Sequence, residues 1–149
     1  MRASSSVHLD APPEKVVPFL VDLSRYPEWM PMVHSADPDH PSPHSEPAWN
    51  VELRARVGPF ARSKRLRMVR TEIDASSGAG TFVFERREAD GSQHSPWTMR
   101  VVVAPAGGGT DVTIDLHYGG SLWTAGVLDR VLAAQIDAGK TGLARAVAG

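Results

Sequence analysis

The fold is decided by a stretch of strict alternation, Trp49-Asn50-Val51-Glu52-Leu53-Arg54-Ala55-Arg56-Val57. Every second side chain is apolar, and the side chains between them are polar or charged. Because successive side chains of a β-strand point to opposite faces of a sheet, this pattern predicts a strand with one buried and one solvated face. The cover for the apolar face must come from elsewhere in the chain.

Four further stretches with strand character follow, separated by residues typical of turns. We predict strands near residues 63–73, 81–88, 97–103 and 110–118. The turns between the five strands lie at residues 58–59, 74–78, 89–91 and 107–109. Connections this short join antiparallel neighbours, so the five strands are predicted to form a meander.

Short elements are predicted before the meander. Residues 7–9 alternate as in a short strand, and apolar residues then recur at helical spacing up to Leu23, in a helix that Pro18 should shorten or kink. A second short helix begins near Ser24, a candidate N-cap residue. We expect residues 34–48, which contain four prolines and no aliphatic side chain larger than alanine, to form a loop.

A long helix is predicted over residues 121–147. Ser121 is suited to cap it, and a stripe of residues then recurs at spacings of three and four. The stripe consists of Leu128, Leu132, Gln135, Gly139 and Leu143. This helix should pack on the concave face of the sheet, opposite the face that carries Arg54 and Arg56.

The composition favours a single cytoplasmic domain, residues 1–149. A chain of 149 residues is long enough to bury one sizeable core. The absence of cysteine excludes disulfides and thiolate metal sites and suits a reducing compartment. With a net charge of -1 and no apolar stretch of signal-peptide or transmembrane length, we predict neither nucleic-acid binding nor stable membrane insertion. The sequence assigns no oligomeric state.

The order of elements and two motifs resemble the helix-grip superfamily of START domains, polyketide cyclases and birch-pollen-type allergens. The motifs are Val7-His8-Leu9-Asp10-Ala11-Pro12-Pro13-Glu14-Lys15-Val16 and Tyr26-Pro27-Glu28-Trp29-Met30-Pro31. The resemblance implies an α+β helix-grip fold, in which an antiparallel β-sheet wraps around a long C-terminal α-helix and two short helices follow the first strand. It also implies an interior cavity for lipids, quinones, polyketides or similar ligands. It supplies no universal catalytic motif.

Large side chains on the predicted inner faces are the candidates for lining such a cavity. From the strands these are Trp49, Met68, Phe82, Phe84, Trp97, Met99 and Tyr118. From the C-terminal helix they are Leu128, Leu132 and Gln135. Ordinary core packing uses the same residue types, so composition alone leaves both interpretations open. The implied fold favours a cavity, and we therefore predict binding of a small apolar molecule without a cofactor.

Two arginines, Arg70 and Arg86, fall on the same inner face by alternation. A buried guanidinium group needs partners. The structural interpretation pairs them with Glu72, Glu88 or backbone carbonyls. The functional interpretation is that one of them anchors an anionic or carbonyl group of a ligand.

Two other functions stay open on the sequence. The first is an aromatase/cyclase-type enzyme that folds a poly-carbonyl chain in the cavity and promotes its enolisation. Its candidate residues are Arg70, Arg86, Tyr118 and His94. The second is an interaction module that uses the basic outer face of the sheet, for which a solvated face is the simpler interpretation. That face carries Arg54, Arg56, Arg65 and Arg67.

Metal and phosphate sites are not predicted. His34, His40 and His44 lie in a Pro-rich segment at spacings that match no compact zinc motif. Lys140 and Thr141 resemble the end of a phosphate loop, but they lie inside the predicted helix and the required upstream glycine is missing.

Overall fold

A curved antiparallel sheet forms the body of the protein. The computed structural model describes residues 2–39, 46–57, 59–76, 79–88, 96–119 and 125–149. The strands are β1 (Arg2–Leu9), β2 (Val33–Pro38), β3 (Ala48–Val57), β4 (Phe60–Ser76), β5 (Ala79–Arg86), β6 (Trp97–Ala106) and β7 (Gly109–Tyr118). The helices are α1 (Pro13–Val16), α2 (Pro18–Val21), a 3-10 helix (Leu23–Glu28) and α3 (Ala125–Ala148). Within the described residues, seven strands form one sheet in the order β1-β7-β6-β5-β4-β3-β2.

The predicted five-strand meander is confirmed as β3 to β7. Each strand pairs antiparallel with the next, and the register places inner-face residues opposite one another, as Trp49 lies opposite Met68. The turn between β6 and β7 contains Gly107 and Gly108 at φ angles of 54° and 82°. Only glycine adopts this backbone conformation without steric cost, so the glycine run sets the tight turn.

The first strand begins earlier than predicted. Its first half has no apolar alternation, so the pattern does not indicate a strand there. β1 pairs with β7 over its whole length, and Val7 lies opposite Val112. The serines that precede Val7 pair through their backbones, and the Ser6 hydroxyl lies 3.1 Å from the Thr113 hydroxyl. The pairing joins the amino-terminal strand to the last strand of the meander.

The prediction of a loop over residues 34–48 is wrong at its beginning, where β2 forms. Among the described strands β2 pairs only with β3, so it is an edge strand of the described sheet. Val33 and Ala36 are its buried side chains, and a bulge lies between Val33 and Ser35. An edge strand tolerates Pro38 because one side of its backbone has no partner strand. The histidines at positions 40 and 44 lie outside the described residues.

The two short helical segments after β1 are confirmed in place but differ in detail. The helix is shortened at Pro18, as predicted: α1 ends at Val16, and a separate short helix, α2, begins at Pro18. The second segment is a 3-10 helix, and Asp22, not Ser24, caps it. The Asp22 carboxylate accepts hydrogen bonds from the Ser24 backbone N–H at 2.9 Å and the Ser24 hydroxyl at 2.6 Å.

The long carboxyl-terminal helix α3 is confirmed from Ala125 to Ala148, whereas its predicted start at Ser121 lies outside the described residues. Leu143 is buried in the same core cluster as Val112 of β7. Gly142 lies so close to the Trp29 backbone that a Cβ at this position would be 2.1 Å from the Trp29 carbonyl oxygen. α3 is therefore packed directly on the segment after the 3-10 helix. No helix in the described ranges combines the length and apolar character needed to cross a membrane.

Candidate functional site

A cavity with an apolar wall lies between the concave face of the sheet and the segment formed by the 3-10 helix and the residues after it. Its volume is about 70 Å³. The strands contribute Val33, Val51, Leu53, Leu66, Met68, Trp97, Met99, Ile114 and Leu116. The 3-10 helix and the following segment contribute Leu23, Tyr26, Met30 and Met32. A single water needs about 10–15 Å³ of cavity volume, so this space is several times larger than one water requires.

Three of the predicted residues, Met68, Trp97 and Met99, line this cavity. The other predicted strand residues are buried in the surrounding core and not in its wall: Trp49, Phe82, Phe84 and Tyr118. Of the helix residues, Gln135 is half-buried, and the side chains of Leu128 and Leu132 lie outside the described part of the structure.

Aromatic packing explains why several inner-face rings are not in the wall. Phe84 contacts Trp49 edge-on with ring centroids 5.8 Å apart, and it contacts Tyr26 in the same way at 6.3 Å. Such T-shaped arrangements are favoured because the ring edge is positive and the ring face is negative. Trp49 and Phe84 therefore pack on each other, and Phe84 packs on Tyr26, which is the ring of the three that lines the cavity.

Sequence reasoning missed two groups of cavity residues. One group is aliphatic residues of the strands: Val33, Val51, Leu53, Leu66, Ile114 and Leu116. The other group lies in the segment between α2 and β2. Tyr26 is fully buried, and its hydroxyl donates to the Leu20 carbonyl at 2.8 Å. Burial raises the pKa of Tyr26 far above its ordinary value. Met30 and Met32 follow on the same covering segment. These residues belong to a run of large apolar side chains in a segment that is too short to form its own core. Such a run indicates that the segment packs on a larger element, which here is the sheet.

Arg70 connects the sheet to a short helix. Its Nη1 donates to the Val21 carbonyl of α2 at 3.0 Å. Its Nε is buried and has no acceptor among the described residues. Arg70 is not part of the cavity wall in the described structure.

Arg86 belongs to a small charged cluster on the concave face. Its side chain is 9% exposed, and its Nε donates to the Glu88 carboxylate at 2.8 Å. It lies opposite Met68, which lines the cavity. Lys64 is near both charges, and its pKa is lowered by burial and by the positive charge of Arg86. The cluster places charge beside the apolar cavity but outside its wall.

Trp97 has an unpaired hydrogen-bond donor. The side chain lines the cavity, and its Nε1 is buried without an acceptor in the described part of the chain. Tyr118 lies opposite it on β7, with ring centroids 5.5 Å apart.

The outer face of the sheet is held together by ion pairs. Glu52 is almost buried between Arg54 and Arg65, whose Nε atoms lie 2.9 and 3.0 Å from its carboxylate. The hydrogen bond from Arg65 lowers the pKa of Glu52 most strongly. Arg67 pairs with Asp39 at 3.0 Å. These acids offset part of the positive charge that the sequence places on this face.

The predicted histidines do not assemble a site in the described structure. His34 lies 3.7 Å from Glu52 on the outer face. His94, a candidate for the cyclase alternative, lies outside the described residues, as do His40 and His44. Among the residues that the structure describes, no cluster of three or more metal-ligating side chains is present.

Comparison with known proteins places the chain in a family. A sequence model described as polyketide cyclase / dehydrase and lipid transport matches residues 1–148. No curated protein matches the chain.

Solved structures share the fold. The protein TTHA0849 from Thermus thermophilus has a TM-score of 0.76 at 18% identity, with 99% of this chain and 97% of that chain covered. Human StAR-related lipid transfer protein 5 has a TM-score of 0.74 at 10% identity, with coverages of 98% and 74%. The di-domain ARO/CYC BexL from the BE-7585A biosynthetic pathway has a TM-score of 0.66 at 18% identity, with coverages of 100% and 50%. The likeness shows that the helix-grip prediction is correct, and at these identities it shows the fold alone.

Proposed function

The chain belongs to the polyketide cyclase / dehydrase and lipid transport family, and on that premise we propose that it binds a small, largely apolar molecule in the cavity beside the 3-10 helix. Lipid transport in the family description and lipid transfer in the name of the human structural neighbour support this proposal. The ligand is carried, sensed or stored without chemical change.

The observation that carries the proposal is the apolar wall of the cavity. Water inside such a space would lack the two to four polar partners that a buried water needs, so water is a poor occupant. An apolar space that is left unfilled also deprives its lining residues of packing contacts. An apolar molecule that fills the space restores those contacts.

Binding is tested with a neutral, apolar fluorescent probe such as 1-aminoanthracene and with two variants of β3. Leu53 lines the cavity, whereas Asn50 is exposed on the opposite face of the same strand. We expect Leu53→Phe to weaken probe binding about tenfold or more, because the larger ring occupies ligand space. Asn50→Phe adds a similar ring outside the cavity and should leave the affinity unchanged. A wild-type protein that binds neither this probe nor apolar competitors would refute the proposal.

Arg86 is proposed as the polar anchor for ligands with an anionic group. It is largely buried and lies opposite a cavity residue, Met68. A charge-assisted hydrogen bond contributes about 1.5–3 kcal/mol, so Arg86→Met should weaken binding of a fatty acid about tenfold or more. Arg70→Met is the matched variant, because it removes the other inner-face arginine, which donates to the Val21 backbone carbonyl and does not lie opposite a cavity residue. We expect Arg70→Met mainly to lower thermal stability, and a reversed pattern would assign the anchor to Arg70.

An aromatase/cyclase-type enzyme is the second candidate function. The cyclase description of the family and the ARO/CYC name of the structural neighbour BexL favour it. In this case Arg86 would stabilise an enolate while the cavity holds the folded chain. Conversion of a poly-carbonyl substrate by the purified protein, with loss of turnover in Arg86→Met, would favour the enzyme over the carrier.

A further inference from the structure

Trp97 differs from the other described tryptophans in the state of its indole N–H. Trp29 Nε1 donates to the Phe19 carbonyl at 3.0 Å, and Trp49 Nε1 donates to the Asp22 carboxylate at 3.2 Å. Trp97 Nε1 is buried and has no acceptor among the described residues. Trp97 is also the one of these three that lines the cavity. The side chain that carries the unpaired donor is therefore also part of the cavity wall.

An unpaired buried N–H is unfavourable, because the group has lost its hydrogen bond to water and gained none in return. A trapped water is a poor hydrogen-bond acceptor for this N–H, since the other described wall residues offer the water few further polar partners. Indole Nε1 only donates, so the missing partner must be an acceptor. An oxygen atom on an otherwise apolar ligand meets this requirement.

We propose that Trp97 determines ligand specificity by donating a hydrogen bond from its indole N–H to a carbonyl oxygen of the bound molecule. This inference rests on the proposed function. Trp97 presents ring carbon to the cavity in this structure, so the proposed donation requires the indole to turn about its side-chain torsions when the ligand binds. The preferred ligands are apolar ketones, quinones or related carbonyl compounds, in preference to hydrocarbons of the same shape.

The test uses two ligands of nearly equal shape, acetophenone and α-methylstyrene, which differ in having C=O or C=CH2. Their affinities are measured by displacement of 1-aminoanthracene from the wild type, Trp97→Phe and Trp29→Phe. The ratio of the two affinities cancels the change in ring volume, as in a double-mutant cycle. Trp29→Phe is the matched control because it removes an indole N–H that already has a protein acceptor.

We expect Trp97→Phe to lower the ratio of ketone affinity to alkene affinity by about threefold to tenfold relative to the wild type, the range of one neutral hydrogen bond. Trp29→Phe should leave this ratio unchanged. Equal preference in the wild type and Trp97→Phe would overturn the inference while leaving the proposed function intact. If the wild type binds neither ligand nor the fluorescent probe, the proposed function fails and the inference with it.

A second measurement covers the case in which Trp97→Phe does not fold. In the ¹⁵N-labelled wild type, the indole N–H resonance assigned to Trp97 should move downfield on titration with acetophenone and much less with α-methylstyrene. An unmoved Trp97 resonance during saturable ketone binding would overturn the inference.

Discussion

Gly142 provides the sharpest test of how α3 packs on the rest of the protein. A Cβ at this position would lie 2.1 Å from the Trp29 carbonyl oxygen, about 1.3 Å short of the 3.4 Å of ordinary contact. The obstacle is backbone, so relief requires α3 or the segment at Trp29 to move. At Gly139, one turn earlier, the nearest atom would be 3.7 Å from the added carbon. The two glycines share a helix but differ in the space beside them.

The expected effects of alanine at these positions have opposite signs. Alanine in a helix is about 1 kcal/mol better than glycine, so Gly139→Ala should be neutral or stabilising by up to that amount. In Gly142→Ala the same gain is outweighed by overpacking, which costs typically 1–3 kcal/mol and more against backbone. We expect Gly142→Ala to be destabilised by about 2 kcal/mol or more, which lowers Tm by roughly 4–8 °C in a chain of this size.

Urea unfolding followed by tryptophan fluorescence, together with thermal scans, measures both variants. The difference in free energy between Gly142→Ala and Gly139→Ala isolates the contact with Trp29, since the gain in helix propensity is common to both. A Gly142→Ala variant as stable as the wild type would show that α3 does not pack on the Trp29 backbone as described.

Two further predictions concern hydrogen bonds. Tyr26→Phe removes the donor to the buried Leu20 carbonyl, and calorimetry should show a loss of about 1–3 kcal/mol; an unchanged Tm would contradict the buried bond. The Asp111 carboxylate, 2.7 Å from His8 Nδ1, raises the pKa of His8 above 6.5, with a smaller contribution from Asp10. The stabilisation from charged His8 is therefore present below pH 6.5 and is lost as the pH rises through the raised pKa. The Tm difference between wild type and His8→Gln should therefore shrink as the pH rises from below 6.5 through the raised pKa of His8, and a constant difference would contradict the ion pair.

The sequence predicted the sheet well wherever one face is buried and the other is solvated. The alternation in β3 and β7 corresponds to the inner and outer faces of the sheet, because the apolar side chains face partners on the inner face, as Trp49 faces Met68. β2 gave no such signal, because an edge strand that buries only Val33 and Ala36 reads as a polar, Pro-rich loop. Periodicity thus detects burial, and it misses strands that are held mainly by backbone pairing.

The site was predicted only in part for a related reason. Alternation assigns a side chain to a face, but it does not tell whether that side chain packs against another residue or borders open space. Phe84 and Met99 are opposite one another on the same inner face, yet Phe84 is packed between Trp49 and Tyr26 while Met99 lines the cavity. The difference depends on the segment after α2, which is distant from these strands in the sequence and contacts them only in the folded protein.

The pairing of β1 with β7 also bears on how the protein folds during synthesis. His8 and Asp111, which form a side-chain contact between these strands, are 103 positions apart in the chain. β1 leaves the ribosome before β7 and has no partner strand among the described elements until β7 has been made. Bringing such distant segments together has a large entropic cost, so folding should be slower than in a helical protein of equal length. A nascent chain that ends before Gly109 would keep β6 as an open edge able to pair with other chains, and protection of that edge by chaperones is then most needed late in translation.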